Sequence, residues 1–258
     1  MNSNIIAILP ARMASTRFPG KPMADILGMP MIGHVYHRVK MNKLLSEVYV
    51  ATCDKEIYDY VVSIGGKAVM TSDTHERASD RCAEAMLAIE KDTGIKVDIM
   101  VLVQGDEPLT HPNMIDEAVK PMIEDETLFI TNLTGKIDNI DDFNSPNEVK
   151  VVMDKDGYAL YFSREPIPSV KKYSESNVPM FKQIPIIPFT REYLLEYNET
   201  EPTPLEIIES VDMLRVLENG IKIKMLETKF SVKAVDTPDD LDRVVSSMRE
   251  DELFLKGY

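Results

Sequence analysis

Ile5-Ile6-Ala7-Ile8-Leu9-Pro10-Ala11-Arg12-Met13-Ala14-Ser15-Thr16-Arg17-Phe18-Pro19-Gly20-Lys21-Pro22 is a short apolar run that empties directly into a loop rich in Arg, Ser, Gly and Lys. An unbroken apolar run bounded by turn residues reads as a buried strand. Arg12, Arg17 and Lys21 fall within ten residues, interleaved with small hydrogen-bonding residues. Arg offers a fork for phosphate oxygens and Lys a point charge, so the loop suits a polyanion such as a nucleoside triphosphate. Open α/β sheets bind ligands beyond the carboxyl ends of their strands, where this loop begins. The loop is not the GxxxxGK[ST] phosphate loop, because Pro22 follows Lys21. No GxGxxG follows the strand either, so a P-loop ATPase and a Rossmann dehydrogenase both lose support.

Outward from this strand the first half alternates. Ile5–Leu9, Val48–Ala51, Lys67–Met70 and Val97–Val103 read as strands, with helical patterns at Pro30–Met41, Lys55–Ile64 and Glu76–Lys91 between them. Strands alternating with helices imply βαβ units and a parallel sheet. After the helical stretch Met114–Ile123 the pattern changes. Leu128–Leu133, Glu148–Met153 and Ala159–Ser163 read as strands, with Lys155-Asp156-Gly157 as a hairpin turn. Residues 166–182 read as a long loop and Gln183–Phe189 as one strand. Helices are expected at Arg191–Tyr197 and Pro204–Glu218, and strands at Ile221–Leu226 and Val232–Val235. A closing helix over Thr237–Arg249 has Thr237 as its cap and Pro238 at its first position. The 258 residues are expected to form a single α/β domain, with about 128–230 as a smaller α+β lobe.

Composition narrows the class. Hydrophobic residues make up 44% of the chain, enough for a packed core. The net charge of −14 argues against a general nucleic-acid binder, whose footprint is basic. Cys53 and Cys82 form neither a CxxC pair nor a zinc spacing, and are expected to be reduced thiols. No stretch approaches the ~18 apolar residues of a membrane span. The first residues lack a charged segment ahead of a long apolar one. A cytoplasmic protein is expected.

A second segment carries chemistry. Val101-Leu102-Val103-Gln104-Gly105-Asp106-Glu107-Pro108 is an apolar strand ending in an acidic turn. Mg²⁺ prefers one or two carboxylates plus substrate phosphates, so Asp106 beside a phosphate-binding loop is well placed to hold it.

Together these residues carry a resemblance. The run from Pro10 to Pro22 followed by Val101–Pro108 resembles the 3-deoxy-manno-octulosonate (KDO) cytidylyltransferases, the CMP-KDO synthetases. The likeness continues through Ser145-Pro146-Asn147-Glu148-Val149-Lys150-Val151-Val152 and Tyr161-Phe162-Ser163-Arg164-Glu165-Pro166-Ile167-Pro168. It continues again through Pro204-Leu205-Glu206, Leu214-Arg215-Val216-Leu217 and Val235-Asp236-Thr237-Pro238-Asp239-Asp240-Leu241, nearly the whole chain in order. The resemblance implies a Rossmann-like nucleotidyltransferase sheet with helices on both faces, CTP as donor, an acidic sugar as acceptor, Mg²⁺ as cofactor and a homodimer built through the second-half lobe. It implies that Arg12, Ser15, Arg17 and Lys21 grip the triphosphate; Arg77 and Asp80 are also expected on the nucleotide side. Arg17, Lys21 and Asp106 are the expected catalytic residues, and Asp106 and Asp236 the expected metal ligands. Gln104, Arg164, Gln183 and Glu206 are expected at the acceptor. No nucleic-acid polymer or membrane partner is implied.

The chain departs from the family in two places. After the third strand the family carries a small Ser-Gly pair where this chain has Arg77-Ala78, although His75, Asp80 and Arg81 are kept. In the acceptor lobe Gln183 replaces a family His, and Ile187 a family Tyr. A site that hydrogen-bonds a substrate hydroxyl discriminates strongly, so these exchanges should alter acceptor choice. The alternatives are a KDO-like acid, an amino-sugar acid, a phosphorylated small molecule, or a non-catalytic nucleotide- or sugar-binding relative.

Overall fold

Ile5–Ala11 is a strand buried along its whole length. The computed structural model describes residues 3–15, 17–171 and 178–258. The strand lies at the centre of a five-stranded sheet in the order Ile186–Thr190, Ile99–Val103, Ile5–Ala11, Glu47–Thr52, Lys67–Met70. Ile5–Ala11 pairs in parallel with Glu47–Thr52 and Ile99–Val103, and Lys67–Met70 extends the parallel array. Only Ile186–Thr190 runs antiparallel.

Side chains alternate across a strand, and this sheet is apolar on both faces. Ile6, Ile8 and Leu102 face a cluster with Cys82, Met86 and Ile89 of the helix Ala78–Thr93. Ile5, Ala7, Leu9 and Val101 face the opposite cluster. That cluster holds Ile32 and Val35 of the helix Met31–Lys40, and Ile115 and Ala118 of the helix Asn113–Glu124. Burial pushes the Cys82 thiol far up, so it stays protonated and inert.

A second five-stranded sheet has the order Lys224–Glu227, Thr131–Lys136, Phe181–Ile184, Lys150–Met153, Ala159–Ser163. Lys150–Met153 and Ala159–Ser163 form the expected hairpin. Several expectations are corrected. Gln183–Phe189 is not one strand: Phe181–Ile184 belongs to the second sheet and Ile186–Thr190 to the first. Pro185 lies between them and belongs to neither strand. Pro204–Glu218 is two helices, Pro204–Glu209 and Met213–Glu218, broken at Ser210 in the left-handed region (φ 52°). The strand expected at Leu128–Leu133 is Thr131–Lys136, and Val232–Val235 forms no strand. Part of the expected loop 166–182 lies outside the described residues, and its end forms strand from Phe181.

The closing helix is Pro238–Met248, with the Thr237–Asp240 capping box in place. Its Val244 and Met248 pack on Val235, Ile26 and Met31, with Phe18 and Leu27 against them. This small cluster fixes the cationic loop against the Val235–Asp236 segment. Among the described residues no helix is long and apolar enough to cross a membrane.

Candidate active site

The central strand ends at Ala11, and the loop then closes on itself. Gly20 N–H donates to Met13 O (2.9 Å), and Phe18 N–H to Ser15 Oγ (3.3 Å). Gly20 sits at φ 74°, a conformation that L side chains rarely adopt, and launches a short 3₁₀ turn, Lys21–Met23. That turn aims Lys21 back at the sheet. Its ammonium reaches Asp106 Oδ2 at 2.6 Å, Val235 O at 3.0 Å and Asp236 Oδ1 at 3.3 Å. Burial acts to lower the Lys21 pKa, but the Asp106 and Asp236 carboxylates outweigh it and hold it above the ordinary lysine value. Arg17 bridges Asp236 Oδ1 (2.8 Å) and Asn147 Oδ1 (2.6 Å).

Asp106 and Asp236 come from distant parts of the chain. Val235 N–H donates to Asp106 O (2.9 Å) and ties the two segments together. Gly105 lets the acidic turn lie close to the first strand: a Cβ there would fall 3.1 Å from Pro10 O and 3.1 Å from Ile32 Cδ1. Two carboxylates and a carbonyl around one cation form an all-oxygen donor set, which suits a hard divalent ion such as Mg²⁺. Among the described residues no group of three or more His, Cys, Asp or Glu is placed to hold a metal. Phosphate oxygens would have to complete the shell, which is the usual mode for Mg²⁺.

Two adjoining cavities open on Asp106. One, of about 290 Å³, is lined by Arg12, Ser15, Arg17, Lys21, Gln104 and Asp106. The other, of about 380 Å³, shares Arg12, Arg17, Gln104 and Asp106. It extends to Arg77, Arg164, Gln183, Ile187, Ser210 and Asp212, with Asp236 in its wall.

Arg164 is held in the second cavity by three backbone carbonyls: Glu209 O (2.8 Å), Pro146 O (2.9 Å) and Ser210 O (3.1 Å). Carbonyls fix the guanidinium without cancelling its charge. Burial first, then the nearby Arg17, lowers its pKa against the opposing pull of Asp236 and Glu209. Gln183 donates to Asn132 Oδ1 (2.6 Å), and Ile187 presents a buried apolar wall.

Two expected residues line neither cavity, and a third lines only the second. Glu206 is fully buried, makes a two-pronged ion pair with Arg215 (2.7 Å each) and lines neither cavity. It braces the two short helices instead. Arg77 lies outside the smaller cavity: it pairs with Asp212 (3.3 Å) and Glu206 (3.5 Å) and lines the second one, which also holds Arg12 and Arg17. Asp80 lines neither cavity, and burial raises its pKa against the opposing pull of Arg215.

Other residues of the site carry no chemical signal in the sequence. Asn147 holds Arg17. Glu107 is buried beside Asp106 and lines the second cavity. Burial, reinforced by the Asp106 charge, pushes its carboxyl up to about 8. Buried Lys150 donates to Ser145 O, Glu148 O and Arg164 O, and so orders the segment that carries Asn147. An acid inside an apolar-flanked turn and a lysine within a strand are signals of position only.

Residues 6–223 match the family model described as cytidylyltransferase. The chain belongs to the cytidylyltransferase family. It is 46% identical over 255 residues to the 3-deoxy-manno-octulosonate cytidylyltransferase of Geotalea daltonii, covering 95% of this chain and 98% of that protein. It is 43% identical over 248 residues to the enzyme of the same name from Fusobacterium nucleatum, covering 96% of this chain and 98% of that one. Among solved structures, a CMP:2-keto-3-deoxy-manno-octonic acid synthetase complexed with CTP superposes with a TM-score of 0.86 at 35% identity. That match covers 96% of this chain and 99% of the other. The 4-diphosphocytidyl-2C-methyl-D-erythritol synthase of Anaerococcus prevotii shares the fold alone, with a TM-score of 0.63 at 13% identity. This chain is thus a nucleotidyltransferase, and the Rossmann-like sheet with a smaller lobe is the family's architecture.

Proposed function

We infer that the chain transfers the cytidylyl group of CTP to a hydroxyl of KDO or a KDO-like sugar acid, releasing pyrophosphate. The observation that carries this reading is the pair of adjoining cavities, one walled by Arg12, Ser15, Arg17 and Lys21 and the other holding the uncancelled charge of Arg164. The acceptor carboxylate would lie on Arg164, with Gln104 between acceptor and donor. The acceptor oxygen forms a bond to the α-phosphorus as the bond from that phosphorus to the pyrophosphate oxygen breaks, and the hydroxyl proton passes to solvent water. Such transfers depend mainly on positioning and electrostatic stabilisation. Arg12, Arg17 and Lys21 would offset the charge that develops on the departing pyrophosphate. Asp106 and Asp236 would hold Mg²⁺. Bound there, Mg²⁺ supplies charge neutralisation and eases loss of the hydroxyl proton.

A second reading concerns the acceptor. Arg77, Gln183 and Ile187, where the chain leaves its family's pattern, all line one cavity. Their convergence favours an acceptor other than KDO, an amino-sugar acid or a phosphorylated small molecule. We place the enzyme in the cytoplasm, as a homodimer formed through the lobe at about 128–230. The exposed Leu160, Ile207 and Ile208 of that lobe support the pairing. Pyrophosphate release from CTP and Mg²⁺ over a panel of acidic acceptors tests both readings. KDO turnover that rises in an Arg77→Ser variant would favour the second, and efficient wild-type turnover of KDO alone would favour the first.

A further inference from the structure

The loop's cations sit on the carboxylates suited to metal. Lys21 lies at hydrogen-bond distance from Asp106 and Asp236 at once, and Val235 O completes its three acceptors. Arg17 occupies the same oxygen of Asp236 at 2.8 Å. Both carboxylates are therefore already neutralised by the protein. A divalent cation arriving between them meets an ammonium of like charge at the position it needs. Among the described residues Lys21 contacts no third acid, whereas a triphosphate in the adjoining cavity offers several oxygens to both cations.

We propose that Lys21 is a placeholder cation, which closes the Asp106–Asp236 pair to divalent metal until a nucleoside triphosphate draws Lys21 and Arg17 onto its phosphates. This rests on reading Asp106 and Asp236 as the metal pair. Its consequence is positive coupling: nucleotide binding frees the carboxylates, and metal binding in turn releases Lys21 to the nucleotide. Such coupling is reciprocal by thermodynamic necessity. The device keeps divalent metal from settling in the site before the substrate it serves has arrived.

The test is Mn²⁺ binding to the intact protein without nucleotide, read from the paramagnetic resonance signal of free Mn²⁺. The wild type is expected to bind weakly. Lys21→Met is expected to bind about tenfold more tightly or better, within the usual range of coupling between sites. The tightening should vanish in the Lys21→Met, Asp106→Asn double variant. Lys21→Gln provides a second removal of the charge if the Met variant fails to fold, with circular dichroism as the check. In the wild type, α,β-methylene-CTP should tighten Mn²⁺ binding beyond what the nucleotide alone retains. Equal Mn²⁺ affinity in the wild type and a folded Lys21 variant overturns the placeholder. Wild-type pyrophosphate release alongside that result leaves the functional reading standing. Full turnover in Asp106→Asn overturns the metal pair itself.

Discussion

Glu206→Gln separates a bracing role from an acceptor-binding one. The carboxylate is fully buried and takes both prongs of Arg215, itself 3% exposed, through two 2.7 Å bonds. It also accepts from Thr203 N–H (3.2 Å) in the capping box, and Arg77 Nε lies 3.5 Å away. An amide keeps one accepting oxygen but turns an N–H₂ toward the guanidinium, donor against donor, and removes the directly bonded counter-charge of buried Arg215, leaving the more distant Asp80. Breaking one side of a buried pair costs about 3–5 kcal/mol. The N-terminal cap contributes about 1 kcal/mol of its own, partly counted in the same change. The expected outcome is a lower urea midpoint equivalent to about 3–5 kcal/mol, with acceptor KM nearly unchanged in the remaining folded enzyme. A Glu206→Leu, Arg215→Met double variant should recover much of the loss, because apolar residues of similar volume can replace a buried pair. A Glu206→Gln variant of wild-type stability whose acceptor KM rises more than about tenfold, or about 1.4 kcal/mol, would refute the bracing role.

Two further outcomes follow from the site. Arg164→Lys loses the fork that meets three carbonyls, so its charge should no longer be held in place. Losing a charged hydrogen bond to the acceptor, worth about 1.5–3 kcal/mol, should raise acceptor KM by about 10- to 100-fold while leaving CTP KM nearly constant in steady-state assays. Glu107 holds its proton to about pH 8 when folded, against an ordinary value of 4.5. The native state therefore binds one proton more than the unfolded chain between those values, and stability contributed by Glu107 declines as pH rises through that window. Glu107→Gln should flatten this decline in chemical denaturation measured from pH 5 to 8, and an unchanged slope would contradict the buried acid.

Much of the site was legible because charge and strand position coincide. Ile5–Ala11 and Ile99–Val103 are apolar throughout since helices cover both faces of the sheet, and their ends place Arg12 and Asp106 together. Asp236 became visible only through resemblance, because an acid before Thr-Pro also reads as an ordinary helix entry. Glu206 misled for a related reason: a motif keeps an acid equally well for an internal ion pair as for a ligand. The partition of Gln183–Phe189 between two sheets was hidden, because only Pro185 marks it and both halves are apolar enough for one strand. Nothing in the sequence pairs Arg77 with Asp212, which lies 135 residues on, past a break at Ser210 that no glycine announces.

The central claim is cytidylyl transfer to an acidic sugar across the Asp106–Asp236 pair. The most direct measurement is pyrophosphate release by the purified protein with Mg²⁺, KDO and each of the four common nucleoside triphosphates. The account predicts rapid release with CTP, little with the others, and loss of about 100-fold or more in Asp106→Ala, on the scale of a lost electrostatic stabiliser. Release that is indifferent to the base, or full turnover in Asp106→Ala, would contradict it.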